Sequence, residues 1–222
     1  MHRIAFASFV SALALASSAA VADFVNPVWD RPVDDAGAST ELTTYQAWDV
    51  FTGTTAQTPD VADVNPNGSA SLSELIGGAF VTSGGNIYSP GAPVQFLVTV
   101  PGYATVAEPG TNFQVQVRTI GTELDTSSMT VDGLPASTLP GYSYEELART
   151  PLGDFGAQVD HRFQFYVPST QAGFALGFGS EESSLSLDQV AIDSYANVNV
   201  VPEPTSLVGL AGSGLLLLRR RR

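Results

Sequence analysis

The sequence predicts an all-β protein, a single β-sandwich for which a jelly roll is one fitting arrangement, on three observations. Apolar and polar residues alternate with period two in several short runs. Gly and Pro, at 21 and 14 residues, punctuate the chain between those runs, and only 14% of residues are charged. Alternation sends one set of side chains to a buried face and the other toward solvent, which is the geometry of a strand and not of a helix.

The clearest run is 112–120, where Phe113, Val115 and Val117 oppose Gln114, Gln116 and Arg118. In 159–167, Val159, His161, Phe163, Phe165 and Val167 oppose Asp160, Arg162, Gln164 and Tyr166. The Phe and Val residues of both runs are expected in the core. Further strands are expected at 43–51, 79–82, 94–100, 128–131, 173–178 and 185–194. The stretch 144–149 reads as a short helix, with Ser143 as its cap. Turns are expected at Asn67-Gly68, Gly77-Gly78, Gly84-Gly85, Pro90-Gly91, Pro101-Gly102, Pro109-Gly110, Asp132-Gly133 and Pro140-Gly141.

Composition narrows the function classes. There are 22 acidic against nine basic residues, a net charge of −13, and four of the nine are the terminal run Arg219, Arg220, Arg221 and Arg222. Such a surface repels phosphate backbones, so nucleic acid is not an expected partner; divalent cations or a halophilic setting fit better. The chain has no Cys, which removes disulfides, thiolate metal sites and cysteine nucleophiles together.

Both ends read as addresses. Residues 1–22 run from His2 and Arg3 through an apolar stretch to Ala20-Val21-Ala22, the order of a secretory signal peptide, with cleavage expected between Ala22 and Asp23 and export by the Sec machinery. A sandwich domain is expected over 23–199. Residues 200–222 hold Pro202, Glu203 and Pro204, an apolar run over 205–218, and the terminal arginines. The prolines block a helix before the apolar run, the run can enter a bilayer, and the arginines stay on the cytoplasmic side. As a helix the run reaches about 21 Å at about 1.5 Å per residue, against a hydrocarbon core of about 30 Å.

This tail resembles the PEP-CTERM sorting signal: a Pro-Glu-Pro tripeptide, a short hydrophobic helix and a terminal Arg cluster, in that order. The stretches 45–51 and 80–89 are similar to segments of other exported proteins of that class. The resemblance implies processing by a membrane transpeptidase of the exosortase type, in the envelope of a bacterium that makes exopolysaccharide. It implies nothing about the chemistry of the sandwich.

One internal motif fits a calcium loop: Asp63, Asn65 and Asn67 at its first, third and fifth positions, Gly68 at the turn, Ser69 as backbone ligand and Glu74 as the bidentate ligand. The preceding 54–59 cannot form an entering helix, and an Asn-Pro-Asn-Gly turn explains the same residues. The catalytic inventory is thin. After signal removal His161 is the only histidine, which excludes a histidine zinc site, and no G-x-S-x-G elbow accompanies it. Its place among Phe163 and Phe165 marks a hydrogen-bonded core histidine. No carboxylate pair stands out for glycoside hydrolysis. Trp29, Trp48, Tyr45, Tyr142, Tyr144 and Tyr195 can stack on sugar rings or fill the core. The expectation is a non-enzymatic envelope or matrix protein without a cofactor; the alternative is a carbohydrate- or calcium-binding jelly roll at the cell surface, in contact with exopolysaccharide.

Overall fold

The structure, a computed structural model, describes residues 24–31, 42–57, 60–65, 67–68, 70–104 and 108–197. Its strands are β1 (Thr43–Trp48), β2 (Asp60–Val61), β3 (Ser71–Glu74), β4 (Phe80–Val81), β5 (Ile87–Ser89), β6 (Gln95–Pro101) and β7 (Thr111–Gly121). They continue with β8 (Asp125–Val131), β9 (Leu134–Pro135), β10 (Ser143–Pro151), β11 (Ala157–Val167), β12 (Gly173–Gly179) and β13 (Leu185–Ala196). The larger sheet runs β10-β11-β7-β13-β5-β4, with β1 also pairing β13; the smaller runs β2-β3-β6-β12-β8-β9.

All strand pairs are antiparallel, and the pairing is nested: β5 with β13, β6 with β12, β7 with β11, β8 with β9. Strands β5 to β8 alternate between the two sheets, and with the nested pairing this is the winding of a jelly roll. The ribbon reverses at Asp132-Gly133, both at positive φ, which is what a tight two-residue hairpin demands.

The core lies between the sheets. Phe113, Val115, Val117, Phe163, Phe165 and Val167 are all buried in it, as their alternation predicts. Phe113 stacks on Phe165 within its sheet and meets Phe174 of the opposite sheet edge-on, with centroids 4.9 Å apart. These contacts tie the two layers together.

Three features depart from the expectation. The stretch 144–149 is not a helix but part of β10, paired to β11 from Ser143↔Gln164 to Pro151↔Ala157 with a bulge between Glu146 and Ala148. Local helical preference, worth a few tenths of a kcal/mol per residue, loses to a ladder of backbone bonds on a preformed strand. Its trace survives in the Arg149–Glu146 ion pair three residues apart. Second, β2, β3, β5 and β9 are strands too short to show a period. Third, the larger sheet is covered on its outer face as well. Residues 24–31 lie across it: the Val25 carbonyl accepts bonds from the Gln114 and Gln116 side-chain amides, and Phe24 joins Tyr45, Ala47 and Ala191 in a second cluster. Arg31 donates to both oxygens of Asp193 at 2.6 and 2.9 Å and lies 4.0 Å over the Tyr45 ring. So Gln114, Gln116 and Asp193, outward by parity, are buried.

Candidate ligand-binding trough

At one end of the sandwich β7, β11 and β13 reach a common level: Gly121 pairs with both Ala157 and Leu185. The loops that follow or precede these strands surround an open trough of about 970 Å³. Its floor is backbone brought unusually close. A methyl group on Gly156 would collide with the Gly121 carbonyl, and one on Gly121 would come within 2.6 Å of the Ser184 carbonyl. Both glycines sit at positive φ, so neither position accepts another residue without strain. The 180–184 loop is fastened by Ser184 N–H to the Ser89 carbonyl at 2.6 Å and by the Thr122 hydroxyl to the Ser183 carbonyl at 2.6 Å.

Among the described residues the walls carry five carboxylates, Glu123, Asp125, Asp154, Glu181 and Glu182, and no basic side chain. Glu123 is held in a bidentate pair by Arg149, at 2.6 and 2.8 Å, which lowers its pKa. Arg149 also bridges to Glu146. Asp125 accepts bonds from the Ser127 N–H and hydroxyl. Phe155 stands among these acids with 82% of its surface exposed, on a 3-10 turn (Gly153–Phe155). Leaving a phenyl ring in water forgoes about 2 kcal/mol of burial, so its position at the rim is a feature of the trough. Tyr88 supplies a second ring to the lining.

His161 does not reach the trough. It is 1% exposed, with Nδ1 3.0 Å from the Tyr144 hydroxyl and Nε2 3.3 Å from the Thr119 hydroxyl. Burial pushes its pKa down, so it is neutral at pH 7. Both ring nitrogens are engaged by hydroxyl groups of the neighbouring strands β7 and β10.

Asp63 and Glu74 face different partners. Asp63 accepts the N–H groups of Asp49 and Val50 at 2.8 and 3.1 Å, and Glu74, at the end of β3, accepts those of Ile76 and Gly77 at 2.7 and 2.8 Å. Asn67 accepts the Tyr45 N–H at 3.2 Å, the Asn65 side-chain oxygen is buried without a partner, and Ser69 lies outside the described residues. Because 71–74 is a strand, the second half of this segment does not wrap back as a helix-loop-helix calcium loop does. Asp49 comes against Asp63: burial and a hydrogen bond to the Asp63 carboxylate raise its pKa to about 6. Among the described residues no three His, Cys, Asp or Glu side chains form a group able to hold a metal ion.

The aromatic residues expected as sugar platforms have other employment. Trp48 is in the main core, Tyr45 in the outer cluster, and Trp29 is buried 6.0 Å from the Tyr195 ring. Tyr142 packs against the core, and Tyr144, 37% exposed, is hydrogen-bonded to His161 and packed on Phe163. Among the described rings that line the trough Phe155 is the most exposed, and alternation does not flag it. The signal in the sequence was Gly153-Asp154-Phe155-Gly156, two glycines bracketing an acid and an aromatic, together with the run Glu181-Glu182.

Ala20, Ala22, Asp23, Pro202, Glu203, Pro204 and Arg219 to Arg222 lie outside the described residues, as does the apolar run 205–218. Among the described residues no helix is long and apolar enough to cross a membrane. Neither a protein-family model nor a curated protein sequence matches the chain.

Proposed function

We propose that the chain is an exported, non-enzymatic protein of the cell envelope or extracellular matrix, sorted by its PEP-CTERM-like tail, whose jelly roll binds glycan in the loop-end trough. The observation that carries the binding role is the exposed Phe155 ring set among carboxylates in an open trough of about 970 Å³. Sugar rings offer an apolar C–H face to an aromatic ring and hydroxyl donors to carboxylates, and the trough presents both partners side by side. Its openness suits a polymer that enters and leaves sideways, and the engagement of His161 by Tyr144 and Thr119 favours binding over hydrolysis.

A glycan array probed with the domain lacking both terminal signals tests the binding role. Phe155→Ala should weaken every positive signal at least about tenfold, the worth of one stacking contact of about 1.4 kcal/mol, while leaving the melting curve in place because the ring is exposed. Unchanged array signals in the variant would remove the trough from consideration. Delivery is tested in the native host by changing Pro202, Glu203 and Pro204 to alanine: a full-length, membrane-bound precursor should accumulate, whereas a plain tail anchor would ignore the change.

A further inference from the structure

We infer that the glycan does not end in the trough but runs on from it across the outer face of the larger sheet, over a row of side chains that closes with the Phe80 ring on β4. The inference rests on the glycan reading above and adds the path and the minimum length of the ligand. Strand register sets Phe80 opposite Tyr88, Tyr88 opposite Ser186 and Ser186 opposite Ile120, and β11 adds Gln158 opposite Ile120. Val81, Ile87 and Leu187, the chain neighbours of the first three, pack on the main core, so by alternation the row lies on the outer face. Tyr88, Ser186 and Ile120 also line the trough, which makes the row its continuation and not a separate surface. Neighbouring strands lie about 4.8 Å apart, which puts Phe80 about 14 Å from Ile120, a path for several sugars and not for one ring.

Phe80 is 49% exposed, and its ring stands edge-on to that of Tyr88, with centroids 5.9 Å apart and planes at 84°. Because β4 is the last strand on that side of the sheet, the row opens sideways off its edge. One row further along the strands the outer face is already occupied: Arg118 pairs with Asp160 at 2.6 Å and lies 5.6 Å from the Phe24 ring of the covering segment. That confines the path to the row. The chemistry of the row names the occupant. Two rings and an isoleucine share a single line with a hydroxyl and an amide, and a glycan presents C–H faces and hydroxyls in just such succession along its length. A protein partner is met instead by an apolar centre inside a polar rim.

The test is affinity electrophoresis of the exported chain in gels holding hydroxyethylcellulose, xylan, laminarin or dextran. Calorimetric titration follows, with the hexamer and the dimer of the polymer that retards it most or, where none does, of the strongest array glycan. The hexamer should bind at least about tenfold tighter than the dimer, the worth of one further ring contact. Phe80→Ala should remove that advantage and leave the dimer's affinity as it was, Phe80→Tyr should keep it, and Phe155→Ala should weaken both probes. Equal binding of hexamer and dimer by the parent, or a Phe80→Ala variant that holds the hexamer as tightly as the parent does, overturns the path and leaves the trough proposal standing. A parent that self-associates in sedimentation, and a Phe80→Ala variant that does not, overturns it in favour of contact between copies. Failure of all four gels together with a blank glycan array removes the trough proposal as well.

Discussion

Arg31→Ala is expected to lower the melting temperature by about 10 °C at pH 7.5. Asp193 is 0% exposed and both of its oxygens are engaged by Arg31. Removing one partner of a buried pair leaves an uncompensated charge, a loss of about 3–5 kcal/mol, and a domain of this size shifts about 2–4 °C per kcal/mol. The pH dependence gives the signature. Burial raises the Asp193 carboxyl to about 6 against the pull of Arg31, above the roughly 3.9 of an unfolded chain. A carboxyl raised on folding contributes stability that is fully present below about pH 4 and is lost as the pH climbs through its folded value. Without Arg31 that folded value moves higher still. The gap between parent and variant should therefore be wide at pH 7.5 and close by pH 4. A gap that stays the same at both pH values would mean that Arg31 acts by packing on Tyr45 and not by charge. The double change Arg31→Met, Asp193→Leu should recover most of the loss, since an apolar pair avoids burying charge.

Gly156→Ala is expected to cost about 4 kcal/mol, combining an off-region backbone with a backbone collision. Its φ of 85° and ψ of −133° lie close to territory that only glycine populates, and the added methyl would strike the Gly121 carbonyl, which cannot move without parting β7 from β13. Gly153→Ala is the control. Its φ is also positive, at 63°, yet nothing lies within 4 Å of the added methyl, so only the conformational term of about 1 kcal/mol remains. Thermal denaturation of the two variants checks the difference, and equal losses would mean that the trough floor is looser than the close approach implies. Since Gly156 positions Phe155, the same variant should also lose glycan binding at temperatures where it is still folded.

Much of the architecture was legible because burial on one face imposes a period. The runs 112–120 and 159–167 became β7 and β11, and their Phe and Val residues became the inner wall of the larger sheet. The run 185–194 became β13, which at its bulge near Asp188 passes from pairing with β5 to pairing with β1, a change that no alternation records. The reading failed at 144–149, where Glu, Leu, Ala and Arg favour a helix in isolation. There the strand is decided by an edge of β11 that exists only after the rest has folded. The site was less legible than the fold. The aromatic residues that drew attention, Trp48 and Tyr45 among them, were recruited by the two cores, while Phe155, which fits no alternating pattern, is left exposed.

By itself the sequence determined the β class, the inward-facing residues of the long strands, the scarcity of catalytic groups and the strongly acidic balance, because each follows from composition or from a period shorter than a strand. Only the tertiary structure decided the nested pairing, the burial of Gln114, Gln116 and Asp193 under residues 24–31, and the meeting of Asp125, Asp154, Phe155, Glu181 and Glu182 at one end of the sandwich. Those loops are separated by tens of residues, and what brings them together is the common level at which β7, β11 and β13 reach Gly121. Long-range register of that kind is set by packing two sheets against one core, and it leaves no mark on neighbouring residues in the chain.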